Sequence, residues 1–497
     1  MNTNAKQLDR CVIVKKGKVK MVLSNSFHMV FNQETGLTLK WGKTKEDDPP
    51  FCPWGPELLD ISMSRKCSHA CKYCSPAGTK VSTVTGEHNI EEIKPGDKVV
   101  GWDSTDNYPR VQEVREVYKR QYTGELVVVE FENGKVLKLT SEHKVVLKSG
   151  EEIEAGKLVG SESVRHTKEQ LLKVKAVTRE QFSGTVYNFH CTPNENYFSE
   201  NVLVHNCYQN ATIDGQIMPL EQYCRILDML PKTVNQIALG GGEPTEHPQF
   251  IEFLKATREM DIVPNFTTNG DNMTQEYAKA VKEYCGACAV SWHEGEGKFR
   301  AIRNLDAAGM KPNVHYLLSK ETIDEATQML KNPKSVLGEA FGKIFAVVFL
   351  LYKPQGRADA RFVLNNEKKV NKFFELASAG NLEFNFGFDS CSVPMVLTHA
   401  NFPSALVETC ESTRYSLYID CDGAVLPCSF CKGKWDAFNI FDTNNFTEDV
   451  WYHPNIVKFR EQQLKTLVHC ESCKHLQDCL GGCRVYPEIV KCKKVEK

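Results

Sequence analysis

The feature that most constrains this chain is a cysteine motif that breaks off. The stretch "CSHACKYCSPAGTK" sets Cys67, Cys71 and Cys74 at Cys-x-x-x-Cys-x-x-Cys spacing, which suits thiolate ligation of a metal. The text then turns β-rich and stays so until "VLVHNCYQNAT", where Cys207 follows Asn206. Residues 74–206 therefore read as an insert. Removing it joins "CSHACKY" to "CYQNAT" and restores the same spacing from Cys67, Cys71 and Cys207.

The insert carries strand signals throughout. "GTKVSTVTGEHNIEEIKPGDKVVGWD" alternates strand-like runs with Gly and Pro turns. "TGELVVVEFENGKVLKLTSEHKVVLKSG" predicts two strands around an Asn-Gly hairpin turn. "GTVYNFHCTPNENYFSENVLVHN" is again β-rich, and no helical period is convincing. An all-β module is expected.

This module resembles an intein, a self-splicing protein of the Hint fold, and the resemblance covers all of 74–206. Cys74 with "SPAGTKV" looks like the family's first block, "TSEH" (140–143) like its Thr-x-x-His block, and "LVHN" before Cys207 like its end. The length leaves no room for a homing endonuclease, which implies a mini-intein. The resemblance assigns Cys74 as first nucleophile, His143 with Thr140 as the groups acting on the scissile amide, Cys207 as second nucleophile, and His205 as assistant to cyclisation of Asn206. Thiols suit the acyl shifts because they are good nucleophiles and good leaving groups. One residue departs from the pattern. Asn188, in "VYNFH", stands where inteins usually carry an aspartate, and an amide cannot shuttle a proton. Cys191 is expected to be a core thiol.

Twenty cysteines in a chain with no apolar N-terminal segment suggest metal or iron–sulfur ligation in a reducing, cytoplasmic setting rather than disulfides. Ten of them fall between Cys391 and Cys492. Cys11, Cys52, Cys224, Cys285 and Cys288 match no ligand spacing and are expected to be buried thiols. A net charge of −2 offers no basis for a nucleic-acid partner or an anionic membrane surface. The longest apolar run, "IFAVVFLLY" (344–352), is too short to span a bilayer and reads as a buried strand.

With the insert removed, the host alternates strands and helices. "QIALGGGEPTEHP", "IVPNFTTNG" and "ACAVSWHEG" read as strands ending in loops, with "EQYCRILDML" and "PQFIEFLKATREM" as helices. This alternation predicts a parallel sheet. The joined cysteine motif and the Gly-Gly-Glu-Pro loop resemble those of radical S-adenosylmethionine enzymes. That resemblance implies a partial (β/α)6 barrel, with Cys67, Cys71 and Cys207 holding a [4Fe-4S] cluster. It further implies that Tyr73 packs the adenine of S-adenosylmethionine, and that Gly241, Gly242, Glu243 and Pro244 cradle its methionine part. Reductive cleavage to a 5′-deoxyadenosyl radical, and an electron donor such as a flavodoxin or ferredoxin, follow from the same resemblance.

Further on, Cys410, Gly423 and Cys428 precede "CESCKHLQDCLGGC" with Cys470, Cys473, Cys479 and Cys483, and Cys492 lies beyond. This pattern resembles a SPASM domain, which carries one or two auxiliary [4Fe-4S] clusters in enzymes that modify peptides or proteins. By family pattern Cys470, Cys473, Cys479 and Cys492 hold one cluster and Cys410, Cys428 and Cys483 contribute to another. Cys391, Cys421, Cys431 or an open site remain for its fourth position. The expected domains are an N-terminal hairpin region (1–56), the core (57–73 and 207–390), the insert (74–206) and the SPASM domain (391–497). The alternative is a non-catalytic zinc-binding scaffold with a Hint domain that cleaves without ligating.

Overall fold

The computed structural model describes residues 10–65, 74–103, 108–141, 143–166, 171–192, 194, 196–205, 216–293, 295–354, 362–365, 367–380, 382–400, 402–403, 406–490 and 492. The chain divides into two units. One is built on Cys67–Ile213, the other on Met1–Lys66, Asp214–Pro354 and Ala358–Lys497.

The first unit is all-β, as its sequence predicts, with short 3-10 turns at Ile90–Glu92 and Ala155–Lys157. Its backbone is a pair of long strands, Tyr108–Phe131 and Leu171–Thr192, which run antiparallel from Glu113↔Thr192 to Phe131↔Val174. The expected hairpin forms where Tyr108–Phe131 returns as Val136–Thr140. Gly134 takes φ +78° in its turn, a conformation open to glycine without strain. Val81, Val99, Val127, Val129, Leu137, Leu139 and Phe189 fill the interior, the inward half of each strand's alternation.

The second unit begins with an antiparallel meander, Val12–Lys16, Val19–Leu23, His28–Asn32 and Thr38–Trp41, paired in that order. A parallel sheet follows. Leu58–Ser64 pairs with Gln236–Gly241, and Val263–Thr268, Ala287–Ser291, Asn313–Leu318, Ala346–Leu351 and Asn385–Phe388 succeed it edge to edge. The sheet extends past the six strands expected of the barrel. The short "NFGF" (385–388) carries too few residues to announce a strand. On the far side of Leu58–Ser64 the sheet continues through Ser416–Ile419, parallel to it, then Ala424–Leu426 and Phe438–Asn439. The cysteine-rich C-terminal segment thus shares the host's sheet. Strands covered on both faces read as near-continuous apolar runs, as "AVVFLL" (346–351) does, with Val347, Phe349 and Leu351 buried.

Among the unassigned thiols, Cys52, Cys285 and Cys288 are buried as expected, whereas Cys11 and Cys224 are half-exposed. Cys11 precedes the edge strand of the meander, and Cys224 lies on the flank of helix Leu220–Met229 beside buried Tyr223. Among the described residues no helix is long and apolar enough to cross a membrane.

Three carboxylates share one ammonium beneath the meander. Lys40 Nζ lies 2.7 Å from Glu57 and 3.0 Å from Glu411, and it also pairs with Glu408. Burial pushes Glu411 up to about 8, against an ordinary 4.5, and its neighbours Glu408 and Glu57 add to the rise that Lys40 opposes. The folded chain therefore binds this proton more tightly than the unfolded one. The resulting stability is present at acid pH and is lost as pH rises toward 8. Thermal melting should fall in midpoint as pH rises between about 4.5 and 8, and Glu411→Gln should flatten that slope. An unaltered slope in Glu411→Gln would contradict this.

Candidate active site and cluster ligands

The first residue of the insert is tied to the Thr-x-x-His block at one corner of its sheet. The Cys74 N–H donates to Thr140 Oγ1 at 2.9 Å, and the Thr140 N–H donates back to the Cys74 carbonyl at 3.0 Å. The Cys74 side chain is 1% exposed and packs against Val186, Tyr122 and Phe182. His143 lies at the same corner with its ring buried, and its backbone N–H donates to the Thr140 carbonyl at 3.0 Å. The next strand, Lys144–Val146, pairs through Val145 with Val204, inside the closing strand Val202–His205. The Thr-x-x-His block is thus hydrogen-bonded to the insert's first residue on one side and continues into the partner of its last strand on the other.

Ser75 and Pro76 pair with Tyr187 and Val186, so the next step of the register sets Asn188 across from Cys74. Asn188 is buried, and its Oδ1 accepts from the Tyr197 hydroxyl at 3.1 Å and from the Phe189 N–H at 2.8 Å. Sequence gave no hint of the Tyr197 partnership. Cys191 is the core thiol expected, donating to the Asn196 carbonyl at 3.4 Å.

In the host, strand Gln236–Gly241 delivers the Gly-Gly-Glu-Pro loop. Gly241 takes φ +112°, and a Cβ there would stand 2.2 Å from the Ser64 carbonyl oxygen and 2.6 Å from Ser62 Oγ. The same Ser64 carbonyl accepts from the Gly242 N–H at 2.7 Å. Gly241 is therefore demanded by the neighbouring strand, whereas a Cβ on Gly240 would meet nothing within 4 Å. Backbone approach by a ligand fits Gly240, one residue before the expected pair. Glu243 is 2% exposed and fastened at four points. Its Oε1 accepts from Thr245 N–H at 3.2 Å, Thr245 Oγ1 at 2.6 Å and Thr268 Oγ1 at 2.7 Å, and its Oε2 accepts from Asn269 N–H at 2.7 Å. Burial raises its carboxyl above the ordinary value, and these bonds hold the rise back. The carboxylate clamps its own loop to the turn after Val263–Thr268, leaving one oxygen with acceptor capacity. "TTNG" was legible as a polar turn but not as this clamp. Pro244 opens the short 3-10 turn Pro244–Glu246.

The C-terminal thiols gather in two sets. Cys479 interacts electrostatically with Cys470, Cys473 and Cys492, the foursome expected from sequence, and burial pushes its thiol up to about 11. In the second set, Cys410 faces Cys428 and Cys483, and burial pushes it up to about 12. Cys391 hydrogen-bonds Cys483 and also faces Cys410. It keeps the proton, which holds Cys483 below the ordinary thiol value together with N–H groups of Tyr486 and Val485. Cys431 touches Cys428 at 3.6 Å. Cys421 stands apart, beside Asp420, Arg65 and Asp422. Among the described residues no group of three His, Cys, Asp or Glu side chains is placed to hold a single metal ion. A four-iron cluster spaces its thiolates across several metals, and the two four-thiol sets fit that donor chemistry.

Arg65, at the edge of the Cys67 segment, joins this region to the core. Its Nη2 lies 2.9 Å from Asp420 and 2.6 Å from Asp422, and Lys432 reaches Asp420 at 2.7 Å. Hydrogen bonds from Lys432 and Arg65 overcome burial and hold the Asp420 carboxyl well below its usual range. Cys67, Cys71, Tyr73, Asn206, Cys207 and the His205 side chain lie outside the described residues.

Comparison with known proteins agrees with this division. Residues 80–207 match the Pretoxin HINT domain, and residues 410–474 match SPASM, described as an iron-sulfur cluster-binding domain. Mycofactocin maturase MftC of Mycolicibacterium smegmatis is 26% identical over 306 residues, covering 56% of this chain and 74% of the relative. PqqA peptide cyclase of Ruegeria pomeroyi is 24% identical over 275 residues, covering 50% and 70%. Among solved structures, a bacterial intein-like domain from Clostridium thermocellum is 32% identical with a TM-score of 0.26, covering 27% of this chain and 98% of that one. Streptococcus suis SuiB bound to S-adenosylmethionine is 18% identical with a TM-score of 0.45, covering 57% and 71%. The chain thus carries a match to a HINT domain at 80–207 and to a SPASM iron-sulfur cluster-binding domain at 410–474, and its host is similar to these maturase and cyclase relatives.

Proposed function

We propose that residues 74–206 excise themselves and join Tyr73 to Cys207, releasing a radical S-adenosylmethionine enzyme that modifies a peptide. The observation that carries this is the bond between Thr140 Oγ1 and the Cys74 N–H at 2.9 Å, because that N–H belongs to the amide that must break. The Cys74 sulfur attacks the Tyr73 carbonyl, and the acyl group moves from nitrogen to sulfur as the nitrogen takes up a proton. Thr140 fixes the amide's orientation, and His143 is the proton donor at the same corner. Cys207 then captures the acyl group and returns the Cys74 thiol. Asn206 cyclises through its side-chain nitrogen with His205 assisting, which cleaves the chain before Cys207. The freed amine of Cys207 attacks its own thioester, leaving an amide and a free thiol.

That thiol then joins Cys67 and Cys71 as the third ligand of the first cluster. When bound, this cluster supplies the electron that cleaves S-adenosylmethionine and starts hydrogen abstraction. The chain's own part is to hold the methionine end at Gly240–Gly242, with Glu243 locking the loop, and to seat the adenine at Tyr73. Cys470, Cys473, Cys479 and Cys492 hold one auxiliary cluster, and Cys410, Cys428 and Cys483 hold the other with Cys391 as fourth ligand. A peptide substrate is supported by the names of the relatives, a mycofactocin maturase and a PqqA peptide cyclase.

Thr140→Ala tests the excision corner. Loss of one buried hydrogen bond at the scissile amide should slow the first acyl shift roughly ten-fold or more, read as accumulation of uncut chain over time on denaturing gels. Thr140→Ser should recover most of the rate. Equal rates for wild type and Thr140→Ala would remove Thr140 from the chemistry.

A further inference from the structure

A buried ion pair stands at the second thiol set, and neither excision nor the loop at Glu243 uses it. Lys353 follows strand Ala346–Leu351, and Asp389 follows the adjacent strand Asn385–Phe388. Lys353 Nζ donates to Asp389 Oδ2 at 2.8 Å and to the Leu351 carbonyl at 3.0 Å, and it lies 4.5 Å from the centroid of the Phe430 ring. The Lys353 side chain is 5% exposed. Asp389 is fixed in turn, its Oδ1 accepting from the Leu351 N–H at 3.2 Å and from Ser392 Oγ. The thiols of Cys391 and Cys483 both lie within the field of this ammonium.

Burying an ammonium is costly, and a well-packed apolar side chain would serve packing better. The position of the charge beside two thiols gives it a use. We infer that Lys353 and Asp389 are positioning residues that set the reduction potential of the auxiliary cluster held by Cys391, Cys410, Cys428 and Cys483. The inference rests on the cluster assignment proposed above. Each electron added to a cluster increases its negative charge, so a fixed ammonium nearby favours the reduced form and a fixed carboxylate disfavours it. Lys353 is shielded from water and the Asp389 side chain is only 17% exposed, so screening by solvent and salt is reduced.

The surrounding charges leave Lys353 a distinct part. His315 also faces Asp389, but burial pulls it down to about 4, so it is neutral near pH 7. Arg484 faces Cys410 and Cys483 of one set and Cys470 and Cys479 of the other. Its field acts on both clusters, whereas Lys353 faces Cys391 and Cys483 of one set only.

The test is an anaerobic redox titration followed by electron paramagnetic resonance. It uses the full chain reconstituted with iron and sulfide, with Cys67→Ala and Cys71→Ala added to silence the first cluster. Lys353→Met should move one of the two auxiliary midpoints to lower potential and leave the other in place. Asp389→Asn should move the same midpoint upward, and Lys353→Arg should stay near wild type. Opposite shifts at one cluster, with iron content unchanged, are what a merely structural pair would not produce. Should Lys353→Met fail to hold iron, Asp389→Asn decides alone: an upward shift supports the inference and a fixed midpoint overturns it. Unmoved midpoints, or shifts of the same sign in both variants, overturn it. A chain without auxiliary iron–sulfur signals would instead defeat the cluster assignment itself.

Discussion

A chain carrying Cys74→Ala and Asn206→Ala should remain full length under conditions where the wild type separates into the joined product of 1–73 with 207–497 and the free fragment 74–206. Cys74→Ala removes the sulfur that accepts the first acyl group, and Asn206→Ala removes the side chain that cuts before Cys207. The Cys74 side chain packs against Val186, Tyr122 and Phe182. The uncut chain should also lack the first cluster. In it Cys207 follows the closing strand Val202–His205, so its N-terminal neighbours belong to the insert instead of to the Cys71–Tyr73 run. Deoxyadenosine formation should be lost after reconstitution, while the auxiliary iron contributed by the C-terminal thiols is retained. Gel analysis, intact mass and iron content read these outcomes together. Deoxyadenosine production by the uncut variant would separate excision from cluster assembly.

Gly241→Ala should have the second large effect, on the host alone. At φ +112° an L side chain is strained by about 1–3 kcal/mol, and the new Cβ would overlap the Ser64 carbonyl oxygen at 2.2 Å. Relief requires the loop to leave Leu58–Ser64, which also breaks the Gly242 N–H bond to Ser64. The host's melting midpoint should drop by several degrees and S-adenosylmethionine affinity should fall with it. Gly240→Ala provides the contrast, since its Cβ meets nothing within 4 Å. It should leave melting unchanged and weaken S-adenosylmethionine binding through steric contact with the ligand. Equal melting of the two variants would contradict the role given to Gly241.

Much of the architecture was legible because its signals are local. "AVVFLL", "QIALGG" and "VPNFTT" are apolar runs of strand length between helical repeats, and they fold as parallel strands. The β-periodicity of the insert and its Asn-Gly turn are likewise carried by neighbouring residues. What escaped depends on contacts between distant segments. "GGEP" announces a glycine loop, but only the packing of Leu58–Ser64 against Gln236–Gly241 shows that Gly241 answers to Ser64. Glu243 invited pairing with a ligand ammonium, yet Thr245 of its own loop and Thr268 and Asn269, from the next strand and turn, take up most of its lone pairs. Cys391 has no motif around it, and its place beside Cys483 arises because the turn after Asn385–Phe388 comes back to the C-terminal thiols. Lys353 and Asp389 look like ordinary surface charges in "LLYKPQ" and "GFDSC" until adjacent strands bring them within 2.8 Å.

The measurement that bears most directly on the whole is tandem mass spectrometry of the host product after proteolysis, searching for the peptide that crosses the joint. Excision with ligation predicts a fragment reading "ACKYCYQNATIDGQ", in which Tyr73 is followed directly by Cys207, together with a released insert ending in a cyclised Asn206. Finding only uninterrupted "KYCSPAG" and "VHNCYQ" peptides, or separate cut ends without the joined fragment, would contradict it.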